Sequence, residues 1–176
     1  MAGIIQKKIC MLGDFSTGKT SLVKRYIYDI FDDRYLSSIG VKISRKEVIV
    51  SPDLTTRLFI WDMAGGEKFS NTAITNLQGS AGALLVGDLT RTDTISHLYY
   101  HYQLLQEYSP GAAAVLIGNK SDLVSSNADC LNIIKKKAEE IQVSLSITSA
   151  KNGKGVEEAF YLLVKAIIEN NGNRTS

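Results

Sequence analysis

Gly13-Asp14-Phe15-Ser16-Thr17-Gly18-Lys19-Thr20 matches G-x-x-x-x-G-K-[ST], and it lies between an apolar strand-like run, Lys8–Leu12, and an amphipathic one, Lys19–Tyr28. That context is what the chemistry requires. Glycines let the backbone wrap a phosphate chain, and successive N–H groups then point inward as an anion nest. The helix that follows adds the positive end of its dipole. Lys19 supplies a point charge to the terminal phosphates, and the Thr20 hydroxyl is an oxygen ligand of the kind Mg²⁺ demands. A chance match in a chain of this length has a probability of roughly 1% or less. Phe15, Ser16, Thr17, Gly18, Lys19, Thr20 and Ser21 are therefore the candidate phosphate-binding residues of a nucleoside-triphosphate site.

Outward from this loop, strand-length apolar runs alternate with amphipathic stretches. The strand candidates are Lys8–Leu12, Val41–Val50, Arg57–Asp62, Ala83–Asp88, Ala113–Asn119 and Leu145–Thr148. The helix candidates are Lys19–Tyr28, Lys68–Asn76, Ile95–Glu107, Cys130–Ile141 and Gly155–Glu169. Ala83–Val86 and Ala113–Ile117 are continuously apolar, as in strands covered on both faces of a parallel sheet. Val41–Val50 alternates and is more polar, which marks an edge strand. The short turn Ser51-Pro52-Asp53-Leu54 makes it an antiparallel neighbour of the next strand. In the last helix, Val156, Ala159, Phe160, Leu163, Val164 and Ile167 repeat at helical spacing and are read as core. The expectation is an α/β P-loop NTPase fold: a mostly parallel six-stranded sheet with one antiparallel edge strand and about five flanking helices.

Composition narrows the class further. The 176 residues fit one domain, taken as 1–176, and 44% hydrophobic with 22% charged residues is ordinary for a globular chain. Twenty Lys+Arg against eighteen Asp+Glu leaves +2, too little for a nucleic-acid groove or a polybasic membrane tether. Lys135–Lys137 reads as a solvated helix face. The two cysteines, Cys10 and Cys130, suit a reducing cytoplasm, with Cys10 a buried small hydrophobe. No run is long enough for a signal peptide or a spanning helix. Ala2 removes a myristoylation signal and Asn-Gly-Asn-Arg-Thr-Ser ends without a prenylatable cysteine, so no covalent membrane anchor is visible.

Three further motifs fall at strand ends. Asp62-Met63-Ala64-Gly65 follows the strand ending at Trp61. As a bare D-x-x-G it is equally a strand-terminating turn; downstream of the phosphate loop, Asp62 would hold Mg²⁺ through water and the Gly65 N–H would approach a γ-phosphate. Asn119-Lys120-Ser121-Asp122 ends a buried strand. A carboxylate accepting from N1–H and N2–H₂ reads guanine, because adenine lacks those donors and would leave Asp122 unpaired. Asn119 can bond the N7 edge and tie loops together while the Lys120 stem packs on the ring. Ser149-Ala150-Lys151, after the last strand, offers a backbone N–H to the guanine carbonyl. Each could be an ordinary turn, but all four in order at strand ends point to GTP or GDP. A P-loop kinase or ATPase would have no use for Asn119–Asp122.

From about Lys7 to Ile168 the sequence resembles the Ras-like small GTPases, most closely the Rab type. Trp61-Asp62-Met63-Ala64-Gly65-Gly66-Glu67-Lys68-Phe69 is similar to W-D-T-A-G-Q-E-R-F, and Ser38-Ile39-Gly40-Val41 to the switch I sequence T-I-G-V. The resemblance implies that Ser38 ligates Mg²⁺ and touches the γ-phosphate, that Phe31 flanks the guanine and that Tyr35 covers the phosphates. Without it, both aromatics would read as core or surface residues. Lys19, Gly65 and the residue at 66 become the catalytic positions. It also implies an effector, an exchange factor and an activating protein, all unidentified, acting through switch I (about Phe31–Ile43) and switch II (about Gly65–Leu77).

Several residues depart from that pattern. Gly66 stands where the family has the water-orienting glutamine, and Phe15 where it has Gly or Ser. Ser38 lacks the methyl that stiffens threonine. All three changes favour slow hydrolysis, or an essentially non-catalytic GTP-binding module. Glu67 or Arg34 in the switches could in principle substitute, although an exposed loop arginine is usually only solvated. Asn76-Leu77-Gln78-Gly79 lacks the tyrosine typical of Rab effector surfaces, so no Rab partner carries over. The short ending without cysteine is expected of a truncated chain or of an unprenylated, prokaryotic-type member.

Overall fold

The computed structural model describes residues 3–31, 40–64 and 74–172. Six strands form one sheet: β1 (Gly3–Leu12), β2 (Val41–Ser51), β3 (Leu54–Met63), β4 (Gly82–Asp88), β5 (Ala113–Asn119) and β6 (Ser144–Ile147). Their order is β2-β3-β1-β4-β5-β6. Only the β2–β3 pair is antiparallel, turning through Pro52 and Asp53, and β2 is the edge as its polar alternation predicts. The described helices are α1 (Lys19–Tyr28), α2 (Thr92–Ser96), α3 (Leu98–Tyr108), α4 (Asp129–Ile141) and α5 (Val156–Gly172), with a 3₁₀ turn at Ser121–Leu123.

The continuous apolar strands are explained by a core on each face of the sheet. Alternate residues of β1 divide between them: Ile9 and Met11 pack with Leu22, Val23 and Tyr26 of α1 and with Phe160, Leu163, Val164 and Ile167 of α5. Cys10 and Leu12 pack with Leu98 and Leu105 of α3 and with Ile134 and Ala138 of α4. The α5 stripe is core as its spacing requires, and Tyr26 lies flat on Phe160, centroids 3.8 Å apart. Cys10 is a buried thiol at 3.1 Å from the Ser80 hydroxyl, and burial pushes its pKa up. Lys135 and Lys136 are exposed.

Two expectations need correction. The helix expected over Ile95–Glu107 is two, α2 and α3, meeting at His97. The backbone there stays right-handed (φ −76°, ψ −10°), but the His97 N–H is shared between the Asp93 and Ile95 carbonyls, which tightens the turn and ends the first helix. β1 begins at Gly3, five residues before Lys8, because Gly3 through Lys7 extend the ladder with β3 from Leu54 to Leu58 beyond the core, where polar side chains are tolerated. Of the expected helix Lys68–Asn76, positions 68–73 lie outside the described residues, and Ile74 and Thr75 are helical.

Topology places the site. From β1 the chain lays β3 on one side and β4 on the other, so the loop after β1 sits at the point where strand order reverses. In such sheets ligands bind at the carboxyl ends of the strands at that point. Leu12, Met63, Asp88, Asn119 and Ile147 all end on that edge. No helix among the described residues is long and apolar enough to cross a membrane.

Candidate functional site

The loop between β1 and α1 is bent by two glycines whose neighbours leave no room for a side chain. Gly13 has φ +142° and a Cβ there would stand 2.2 Å from the Val86 carbonyl oxygen. Gly18 has φ +98° and a Cβ would meet Asn119 Nδ2 at 2.2 Å. Ser16 between them also takes a positive φ of 62°. The loop is therefore wrapped tightly enough to aim its N–H groups inward. Gly18 caps α1 with no side-chain bond and the first turn holds no acidic residue, so the positive end of the helix dipole faces the loop.

Lys19 is folded back into this loop. It is 6% exposed, and its Nζ donates to the carbonyls of Gly13 (2.9 Å) and Asp14 (2.7 Å). Burial pulls its pKa down to about 8, opposed by the charges of Asp62 and Asp14. A cation held by carbonyl dipoles inside an N–H nest is suited to an anion. The Thr17 hydroxyl donates to Asp14 O at 3.0 Å and stiffens the same turn. Phe15 is half exposed at the lip, and its carbonyl accepts from Arg91 Nη2 at 2.7 Å.

Asp62, at the end of β3, is 1% exposed, and neither carboxylate oxygen has a hydrogen-bond partner among the described residues. Burial raises its pKa, while the Thr20 hydroxyl and the nearby Lys19, Lys42 and Lys24 pull it down. A buried carboxylate short of hydrogen bonds beside a threonine hydroxyl is a donor set of hard oxygens. Thr20 and Asp62 therefore fit Mg²⁺. Among the described residues no group of three His, Cys, Asp or Glu side chains is arranged as a metal site.

The other half of the site is tied to the loop through Asn119, which is 1% exposed. Its Nδ2 donates to the Thr17 carbonyl at 2.9 Å, and its Oδ1 accepts from the Thr148 hydroxyl (3.0 Å) and the Ala150 N–H (3.3 Å). Asp122 accepts from the Ser149 hydroxyl at 2.6 Å, which orients one carboxylate oxygen and joins the two loops. Lys120 has φ 65°, and its ammonium is anchored 2.7 Å from Asp88 Oδ2. The carbonyls of Ala150 and Lys151 accept from the Arg25 guanidinium. Phe31 is partly buried against the α1–α5 core.

The structure thus brings Gly13–Thr20, Asp62, Asn119–Asp122 and Ser149–Lys151 to one edge. Arg34, Tyr35, Ser38, Gly65, Gly66 and Glu67 lie outside the described residues. Sequence reading missed Asp14, Asp88, Arg91, His97, His101 and Thr148. Asp88 is 1% exposed and accepts from Thr90 N (2.9 Å), Thr90 Oγ1 (2.7 Å) and Arg91 Nε (3.3 Å) as well as Lys120. For the histidines a signal existed: positions 97 and 101 are four apart and share a helix face.

The comparisons with known proteins agree with this geometry. The Ras family model matches residues 8–169. GTP-binding protein ypt1 of Schizosaccharomyces pombe is 31% identical over 169 residues, 96% of this chain and 83% of that protein. Human Ras-related protein Rab-31 is 37% identical over 161 residues, 91% of this chain and 82% of its own. Human Ras-related protein Rab-22A is 34% identical over 170 residues, covering 96% and 87%. With the phosphate loop, the buried Asp62 and the Asn119 tie at one sheet edge, the chain belongs to the Ras family of small GTPases and is of the Rab type.

Proposed function

We propose that this chain, a single G domain over 1–176 working in the cytoplasm, is a GTP-operated switch that hydrolyses its nucleotide slowly. The observation that carries the guanine reading is Asn119, which joins the phosphate loop to the Asp122 and Ser149–Lys151 loops through three hydrogen bonds. Asp122 would accept from the guanine N1–H and N2–H₂, and the Ala150 N–H, which donates to Asn119 Oδ1 at 3.3 Å, would meet the guanine carbonyl. Phe31 and Tyr35 would border the base and the phosphates. Ser16–Ser21 would wrap the phosphates, with Lys19 on the β- and γ-groups.

Mg²⁺, bound through Thr20, Ser38 and, by way of water, Asp62, would neutralise charge on the β- and γ-phosphates. In the reaction a water oxygen bonds to the γ-phosphorus, the bond to the β–γ bridging oxygen breaks, and GDP leaves with that electron pair. The water's proton ends on the released phosphate. This chemistry is mostly positioning plus electrostatics. Gly66 has no side chain to orient the water, and Phe15, half exposed on the loop's lip, crowds the approach of a partner's arginine. The effector, exchange factor and activating protein would act through switch I and switch II.

A single-turnover assay of γ-phosphate release tests the reading. We expect a rate at least about tenfold below the ~4 × 10⁻⁴ s⁻¹ of intrinsic Ras, raised by Gly66→Gln and again by adding Phe15→Gly. A wild-type rate equal to that of Ras, or a Gly66→Gln variant no faster than wild type, sinks the slow-hydrolysis reading. Displacement of bound GDP by ATP would sink the guanine reading.

A further inference from the structure

The chain has two histidines, and both converge on one side chain of the phosphate loop. His97 Nδ1, where α2 meets α3, stands 2.6 Å from Asp14 Oδ2, and His101 Nε2, one turn along α3, stands 2.9 Å from Asp14 Oδ1. Asp14 is 7% exposed; the His97 side chain is half exposed and that of His101 is buried. The backbone carbonyl of the same Asp14 accepts from Lys19 Nζ and from the Thr17 hydroxyl. One residue therefore grips α3 with its carboxylate and the phosphate-facing lysine with its carbonyl.

We propose that Asp14, His97 and His101 form a clamp of positioning residues that seats the phosphate loop on α3 and makes nucleotide retention depend on the protonation of the two histidines. This rests on the guanine-nucleotide reading of the site. Burial pushes the Asp14 carboxyl up, but the hydrogen bonds and charges of His101 and His97 outweigh it and hold it below the usual carboxylate range. An ionised carboxylate only accepts, so both ring nitrogens donate, in the neutral tautomers as well as in the protonated rings. With both rings neutral the cluster carries one negative charge beside a polyphosphate site. Each protonation adds a positive charge and turns a neutral donor into a charge-assisted one.

Histidine is the side chain whose ordinary charge change falls between about pH 5 and 8, and proton uptake by either ring tightens the clamp and turns the local field favourable to phosphate. By linkage a nucleotide is held more firmly on the acid side. Among the described residues, the other charged groups around the loop are Lys19 of α1, with Asp62 of β3 beside it, and Arg91 ahead of α2, tied to Asp88. On α3 itself the Tyr100 ring packs 5.7 Å from that of His101. Lys19 titrates at about 8 and burial raises the Asp62 carboxyl; these groups and the nucleotide's own phosphate are present in every variant, so the histidines are read from the difference between wild type and variants.

The test is release of fluorescently labelled GDP, chased with excess GDP, from pH 5.5 to 7.5, on the wild type, Asp14→Asn, His97→Gln and His97→Gln/His101→Gln. Every variant carries the same phosphate titration, so the clamp's share is the difference from wild type. We expect wild-type release to slow about fivefold more than that of the double variant over this range. Asp14→Asn should lose the same dependence, and half-exposed His97→Gln, which keeps the test alive if the buried position does not fold, about half of it. Identical pH profiles in wild type and variants overturn the clamp alone. A wild-type chain that retains no labelled GDP at any pH overturns the guanine reading and the clamp together.

Discussion

Asn119→Ala tests the side chain that ties the phosphate loop to the loops after β5 and β6. The native amide spans 102 residues of sequence to reach Thr17 and also receives Thr148 and Ala150, all in a region closed to solvent. A hydrogen bond contributes about 0.5–1.5 kcal/mol net, and a buried group left unpaired costs more. Three lost bonds, with the Thr17 carbonyl and the Thr148 hydroxyl left behind, amount to about 3 kcal/mol. That is a large share of the ~5–15 kcal/mol typical of a domain. Urea unfolding followed by the fluorescence of Trp61, the one tryptophan, measures it. Run with and without a fixed excess of GDP, the two series separate intrinsic stability from the ligand's contribution. We expect the loss in both series and a further loss with GDP, because the phosphate loop and the Asp122 segment are no longer held in register. A variant within about 0.5 kcal/mol of wild type in GDP-free urea would refute the idea that these three bonds join the halves of the site.

Gly18→Ala should be at least as damaging, since φ +98° disfavours any Cβ and the methyl would stand 2.2 Å from Asn119 Nδ2; we expect a thermal midpoint several degrees lower and loss of GDP retention, and an unchanged midpoint would refute it. Asp88→Asn tests a buried carboxylate directly. Burial raises the Asp88 pKa, but Lys120 and the Thr90 donors outweigh it and hold it down. A depressed carboxylate stabilises the fold above its unfolded pKa of about 3.9, and that stability is lost as pH falls through the lower folded value. The variant should therefore be destabilised at neutral pH, by an amount that shrinks below about pH 4; chemical unfolding at pH 7 and pH 3 reads the difference, and an equal penalty at both counts against the ion pair.

Much of the sheet was legible because its signals are local. β5 occupies the run Ala113–Asn119 read from the sequence, since a strand covered on both faces must be apolar throughout. The β2–β3 hairpin followed from alternation and a four-residue turn. Where the reading slipped, a longer-range contact decided. Gly3–Lys7 is strand because β3 is there to pair with it. The turn at His97 interrupts a run whose periodicity continues through it, and no local residue signals the break.

The sequence by itself determined the phosphate loop, most of the strands, the core stripe of α5 and the Asn119–Asp122 segment at a strand end. Each depends on residues within a few positions of one another, where spacing and side-chain chemistry suffice. Only the tertiary structure decided that Asn119 would hold Thr17, that Asp88 would anchor both Lys120 and Arg91, and that Asp14 would meet His101 across 87 residues. Those contacts join separate loops of one sheet edge. Which partner a buried polar group finds is set by how strands are ordered in space, and that order is carried by the packing of the whole chain.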